Sequence, residues 1–573
     1  MSTTEFLTTL SAIYTDAQQA IEQAVIPEPV QEYLPAWWLI PAFLYALAEV
    51  AFYIYFRTAM VPYANQIIPP TEYRDYGRDR HKLIIRILER VARTAKANNR
   101  DELEETAKYL MQWFEYVPGH LERSGQGSKA IKVDGVLSKP TLLPRLSESS
   151  VESSFYSSGT ESEESDAEQM IDDRVSDDEA STTSVDEDDS RRDLSNHIMN
   201  QYADYDAASG SWTVTVLGKD DIDDFMAWGF FGKFVKDLVE WEIDEMDKCY
   251  RVFENMYGIV FKPGRSPNYR LRHLLSLEPC LAMHRPLVFY AKVMTMKWCA
   301  SQLFRLAGFS RYLTESGVVC WHKPAADDAY SRKLLPLCLF HGVGPGGHAF
   351  YTLMVLLGLN RTGRAIFVFE NHSVACTLNF KAFSEQELIA GVKEMIDRFC
   401  GVRHDVALMG HSFGSSALTW LLHSEMRPRI RQMVILEPVS IMLSEADVIN
   451  NMAHPVLKMA IDLVLEHYIR RQFPWYNSEL WLEDIPDDVH VIIGLAGKDP
   501  IICTQKVTQE IEAFCATNPE KAKNMDFIYW KNNLHGMCLG LPWCWRDINN
   551  AMLKQELAMM QSKSTRKRTK RKL

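Results

Sequence analysis

From about residue 330 onward the chain repeats one pattern: a short apolar run, a turn, then an amphipathic stretch long enough for a helix. The runs at 334–340 (LLPLCLF), 365–369 (AIFVF), 405–409 (DVALM), 432–436 (QMVIL), 489–495 (VHVIIGL) and 526–530 (DFIYW) read as strands buried on both faces. Helices separate most of them, among them 384–400, which Ser384 and Glu387 open as a capping box. Strands alternating with helices predict the α/β class: a mostly parallel sheet with helices on both faces.

Within that frame, Gly410-His411-Ser412-Phe413-Gly414 follows the run DVALM and opens a helix at 415–423. A GxSxG string alone is weak, and its setting is what carries the reading. Glycines on either side allow a sharp strand-to-helix turn that lifts the Ser412 hydroxyl above the sheet. Serine is a poor nucleophile unless a base takes its proton and a third group orients that base. Asp499 sits in the turn after VHVIIGL, and His535 sits in the loop after FIYW. Both lie just past strand carboxyl ends, the edge where open α/β sheets place their sites. Glu437, directly after QMVIL, is the alternative acid. The loop His341-Gly342-Val343-Gly344-Pro345-Gly346-Gly347 offers an oxyanion hole, with the Val343 and Phe413 N–H groups as expected donors. No phosphate-loop or dinucleotide fingerprint occurs, and no metal or organic cofactor is implied. An HxxxxD string, His322 to Asp327, lies in a polar connection upstream and is discounted as chance.

The 573 residues leave room for more than one unit. Residues 33–57 include the 24-residue stretch YLPAWWLIPAFLYALAEVAFYIYF, whose one charged group is Glu49, and predict a transmembrane helix. Residues 1–32 contain no Lys or Arg, whereas 57–100 contain ten, so the positive-inside rule puts the N-terminus outside the cytosol and the remainder within it. The 11 scattered cysteines, without a CxxC pair, agree with a reducing compartment. Residues 58–120 are expected to form juxtamembrane helices. Residues 121–208 form an acidic, Ser-rich insertion expected to be disordered. The formal charge of −13 is local to it: 147–193 hold 17 Asp and Glu against three Arg. A nucleic-acid surface is therefore not implied. Ser162, Ser165 and Ser176 stand in acidic clusters that suit phosphorylation. Residues 209–325 are expected to be helical, with long amphipathic helices at 221–258 and 284–306 whose aromatic stripes pack as core on the domain that follows. The main domain spans 326–560, with a cap over about 438–488 that includes a helix at 454–471. The tail 561–573 carries seven positive side chains that suit anionic lipid or the acidic insertion.

HGVGPGG, GHSFG, the Asp499 turn and His535 resemble the α/β-hydrolase superfamily across about 330–545. The aromatic N-terminal span, DDIDDFMAWGFFGK (220–233) and FPWYNSELWLEDIP (473–486) more narrowly resemble membrane-anchored α/β-hydrolases of fungi and algae; the acidic insertion departs from them. Together these imply a membrane-anchored serine hydrolase that cleaves acyl esters, with lipids as the expected substrates. It would be a single-pass protein with its catalytic domain in the cytosol, and the endoplasmic reticulum is the expected membrane. Acyl transfer or thioester hydrolysis on the same triad, and a non-catalytic interaction protein, are the alternatives.

Overall fold

The computed structural model describes residues 39–68, 74, 77–117, 203–206, 211–280, 283–452 and 462–570. Residues 1–38, almost all of the acidic insertion with its three serines, the 454–461 part of the expected cap helix and the last three tail residues lie outside the described residues.

The apolar N-terminal segment is helical. Helix α1 (Leu39–Tyr55) continues through a π-helical turn (Phe56–Met60) to Ala64. Ile40–Ala64, 25 residues, is long and apolar enough to cross a membrane. Its character changes at the π-turn: α1 is mostly exposed and touches the protein through Glu49 and Phe52, while Phe56, Met60 and Ala64 are buried against Cys280, Leu463 and Val464. Helices α2 (His81–Ala97) and α3 (Glu102–Met111) pack on the protein. Buried Arg90 of α2 donates to Glu479 (2.6 Å) and Glu445 (3.0 Å), and Arg86 to Asp484 (2.5 Å). The helix expected over 221–258 is two, α4 (Lys219–Phe231) and α5 (Glu240–Tyr257). Gly232, at φ 60°, ends the first in a left-handed conformation that glycine adopts without steric cost. Both pack with α2 and α3 in one aromatic core, which Tyr476 and Trp481 of the main domain join. Helix α6 (Leu287–Leu306) does not follow its expectation. It buries Tyr290, Val293, Ala300 and Phe304, but turns Met294 (70% exposed), Trp298 (62%) and Leu306 (85%) away from the protein.

The sheet has eight strands: β1 (Ser310–Leu313), β2 (Val319–Lys323), β3 (Leu337–Phe340), β4 (Ile366–Glu370), β5 (Val406–His411), β6 (Ile430–Leu436), β7 (His490–Ala496) and β8 (Met525–Trp530). Their spatial order is β1-β2-β4-β3-β5-β6-β7-β8. Strands β3 to β8 pair parallel, while β1–β2 and β2–β4 are antiparallel, so the sheet is mixed at one edge. Those first two strands come from upstream of 326, where helices were expected.

The central strands alternate their side chains between two cores. Val406 and Leu408 face α7 (Glu385–Cys400), α8 (Ser415–Leu422) and α9 (Thr504–Thr517). Ala407 and Met409 face Met354, Phe304 and α10 (Pro542–Lys570). With both faces covered, the strands are apolar throughout. Ser384 and Glu387 form the expected capping box on α7.

Candidate active site

Strand β5 delivers the candidate nucleophile. It ends at His411, Ser412 takes φ 52°, and the chain turns at once into α8. A left-handed serine between strand and helix is strained, and it persists because its surroundings allow no other path. A Cβ on Gly410 would lie 2.6 Å from the Gly414 carbonyl oxygen, and one on Gly414 would lie 2.2 Å from that of Phe340. Only glycine lets the turn close this tightly.

Three of the expected residues meet across 123 positions of sequence. His535 Nε2 lies 2.8 Å from Ser412 Oγ, and His535 Nδ1 lies 2.6 Å from Asp499 Oδ2. The other Asp499 oxygen accepts the backbone N–H groups of Ile501 (2.8 Å) and Ile502 (3.1 Å). The carboxylate is therefore pinned by its own turn before it meets the imidazole. Burial alone would lower the His535 pKa. The hydrogen bond and charge of Asp499, aided by the charge of Glu437, more than offset that and raise it.

The alternative acid has a different position. Glu437 Oε2 lies 3.7 Å from His535 Nδ1, beyond hydrogen-bond reach, and instead accepts from Gly536 N–H and from His411 Nε2 (3.0 Å). Burial pushes the Glu437 carboxyl up, but His411, His535 and the Gly536 N–H hold it below its ordinary value.

That bond belongs to a chain which the sequence reading missed. The Gly342 N–H donates to Tyr351 Oη (2.6 Å), whose hydroxyl lies 2.6 Å from His411 Nδ1. Assigned from its partners, His411 accepts from Tyr351 at Nδ1 and donates from Nε2 to Glu437. One line of hydrogen bonds thus ties the glycine loop to the backbone beside His535. His411 was inside the quoted motif but had no role there. Tyr351 carries no sequence signal, because only tertiary packing brings it to His411.

In the glycine loop, N–H groups are consumed in turn: Gly342 by Tyr351, Gly344 by Val374 O (3.0 Å), Gly346 by Ala375 O (2.9 Å) and Gly347 by Gly344 O (2.9 Å). Among the described residues the Val343 N–H has no such acceptor. Phe413 stands in the first turn after Ser412, where N–H groups lack intrahelical acceptors. His341 holds the loop from behind, its Nδ1 2.8 Å from Gly342 O while its Nε2 accepts the Asn371 N–H (2.9 Å).

Among the described residues, two clusters have metal-ligand composition. His411, Glu437 and His535 bring ligand atoms within 4.8 Å of one another, joined by the hydrogen bonds described above. Asp79, His81 and Glu245 form the other, where His81 Nδ1 meets Glu245 at 2.6 Å and Lys248 pairs with the same carboxylate. The discounted HxxxxD string has no active geometry. His322 is stacked between Phe367 and Phe399, with burial lowering its pKa to about 4, and Asp327 pairs with Arg332.

A cavity of about 900 Å³ lies between the accessory helices and the segment after β6, lined by Trp113, Phe225, Trp228, Leu443, Phe473 and Trp475 among others. None of the triad candidates lines it, but Phe473 does, and its ring lies 4.9 Å from that of Phe413.

No protein-family model matches the chain, and no curated protein matches it. Solved structures similar to it include the carboxylesterase CesB of Bacillus subtilis, at 14% identity over 46% of this chain and 98% of that one, with a TM-score of 0.34. Others are an esterase of Pyrococcus furiosus, at 15% identity over 44% and 93% with a TM-score of 0.33, and a bacterial membrane phospholipase A, at 12% identity over 47% and 94% with a TM-score of 0.33. By its own mixed sheet, its serine on a strand-to-helix turn and its chain order of Ser, Asp and His, the chain carries an α/β-hydrolase fold.

Proposed function

We propose that this chain is a serine hydrolase that cleaves acyl esters of lipids while held at a membrane. Ser412 Oγ attacks the ester carbonyl as His535 Nε2 takes its proton. The imidazolium then protonates the departing alkoxide, leaving an acyl-serine. Water repeats the sequence and releases the acid. Asp499 holds His535 with Nε2 free to accept, and the Val343 and Phe413 N–H groups receive the oxyanion. One observation carries this reading: the unbroken line from Asp499 through His535 to a serine held at φ 52°.

The apolar helix Ile40–Ala64, of whose apolar window 6% is buried, supports membrane attachment. The absence of basic residues before it and their abundance after it support a cytosolic catalytic domain; the membrane proposed is the endoplasmic reticulum. The aromatic cavity, in the size range of small-molecule sites, supports a substrate with an acyl chain. The test is fluorophosphonate labelling of full-length protein in isolated membranes, wild type beside Ser412→Ala. Labelling is expected for wild type alone; a folded, unlabelled wild type would overturn the hydrolase reading. Comparing release of acid from glycerolipid esters and from a soluble short-chain ester tests the lipid part, which fails if the soluble ester is preferred.

A further inference from the structure

We infer that α6 and the helical segment beside it form a lipid-facing surface, so that the mouth of the site opens onto the bilayer rather than into water. This rests on the reading of Ile40–Ala64 as a membrane span, and it adds a second element that enters the leaflet beside it.

The outward face of α6 is unlike a solvated one. Among its exposed residues are Val288, Met294, Trp298, Leu303 and Leu306, and its only charged groups are Lys292, Lys297 and Arg305. It contains no Asp or Glu. Lys297 is committed to Glu370 at 2.5 Å, so the outer face presents Lys292 and Arg305, the sign that anionic headgroups attract. An exposed helix face with Trp, Leu and basic side chains but no acidic ones suits a membrane interface better than bulk water.

The surface continues past α6. Met296 and the backbone of Val293 border Gly346 of the glycine loop, and the segment that follows turns Phe350, Leu353 and Leu357 outward. Val343 beside Ser412, and Leu534 and Met537 on either side of His535, are exposed as well. An apolar patch this continuous marks a partner.

Contact with the span identifies that partner as lipid. Glu49 of α1 accepts the Leu287 N–H at 2.7 Å, capping the first turn of α6, and Phe52 packs edge-on against Tyr290 (5.9 Å). Glu49 lies nine residues after Ile40 and fifteen before Ala64, about 14 and 22 Å of helix rise from the two ends of the span, well inside a hydrocarbon core about 30 Å thick. If α1 is in the bilayer, the start of α6 is in it too. The contact also accounts for the one charge in the stretch 33–56: Glu49 finds Tyr45 and the end of α6 where lipid offers no partner.

The protein supplies its own reporter, because Cys299 is exposed on this face next to Trp298. Full-length protein is labelled with bimane, with the signal of Cys299→Ser subtracted. It is placed in nanodiscs of phosphatidylcholine and phosphatidylserine doped with acyl-chain nitroxide lipid. Leu353→Cys is a second reporter on the neighbouring segment. Val402→Cys, 70% exposed in the turn before β5 and so at the opposite end of the sheet, is the control. Both reporters are expected to be quenched several times more strongly than the control. Equal quenching at all three overturns the inference. Reporters shielded from water yet not quenched by nitroxide lipid also overturn it, in favour of a second protein copy. Carbonate extraction reads the span separately and fluorophosphonate labelling reads catalysis, so failure of either leaves the quenching result intact.

Discussion

Replacing Asp499 with Asn tests which carboxylate orients His535, and the structure dictates how the variant fails. Asp499 Oδ1 accepts two backbone N–H groups, from Ile501 and Ile502. In the Asp499→Asn variant the new amide oxygen must occupy that position, because turning the amide over would strand two donors at roughly 1 kcal/mol or more each. The amide NH2 then faces His535 Nδ1, where the carboxylate stood at 2.6 Å. Two donors cannot share that contact, so Nδ1 becomes the acceptor and the ring proton moves to Nε2, 2.8 Å from Ser412 Oγ. An imidazole with its proton on Nε2 cannot take another from serine. Loss of the correct tautomer in a triad costs about 10⁴ in kcat, or about 5 kcal/mol of barrier. The assay is kcat/KM on a short p-nitrophenyl ester, with thermal unfolding as a check that the near-isosteric variant folds. Retention within about tenfold of wild type would refute the argument. A fall of the full size in Glu437→Gln instead would transfer the orienting role to Glu437.

Two further outcomes follow from the same geometry. His535 must be neutral to act as base, and its pKa is raised above the ordinary 6.5, so the acid limb of kcat/KM should lie above that value, with activity falling as pH drops through it. Glu437→Gln removes one of the charges that raise it and should move the limb to lower pH; a wild-type limb below 6.5, or an upward move in the variant, contradicts the assignment. Gly414→Ala would force a Cβ to within 2.2 Å of the Phe340 carbonyl oxygen, where only backbone can give way. A loss of about 3 kcal/mol in chemical denaturation is expected, and a variant as stable as wild type would show the turn to be loosely packed.

The half with the α/β-hydrolase fold was legible because it is built from local rules. Each central strand is buried on both faces, so its apolar run is uninterrupted, and the elbow needs glycines at fixed offsets from the serine. The two antiparallel strands β1 and β2 were not legible: β1 reads SRYL and most of its residues are exposed. The break between α4 and α5 had its signal in Gly232, but a glycine inside an amphipathic pattern is ambiguous until its φ is known. The outward face of α6 shows the same limit from the other side. An aromatic stripe at helical spacing has one sequence signature whether it meets a core or a lipid.

By itself the sequence determined the class of the sheet, the turn that presents Ser412, the chain order of Ser412, Asp499 and His535, and the apolar helix near the N-terminus. These are properties of spacing and of residue type, and they survive without knowledge of what lies opposite. Only the tertiary structure separated Asp499 at 2.6 Å from Glu437 at 3.7 Å. Only it joined Gly342, Tyr351, His411 and Glu437 into one line, and only it turned Trp298 of α6 outward. Those outcomes depend on differences of about an ångström, or on which face of a helix finds a partner. Both are set by the packing of segments far apart in the chain, and no local pattern records them.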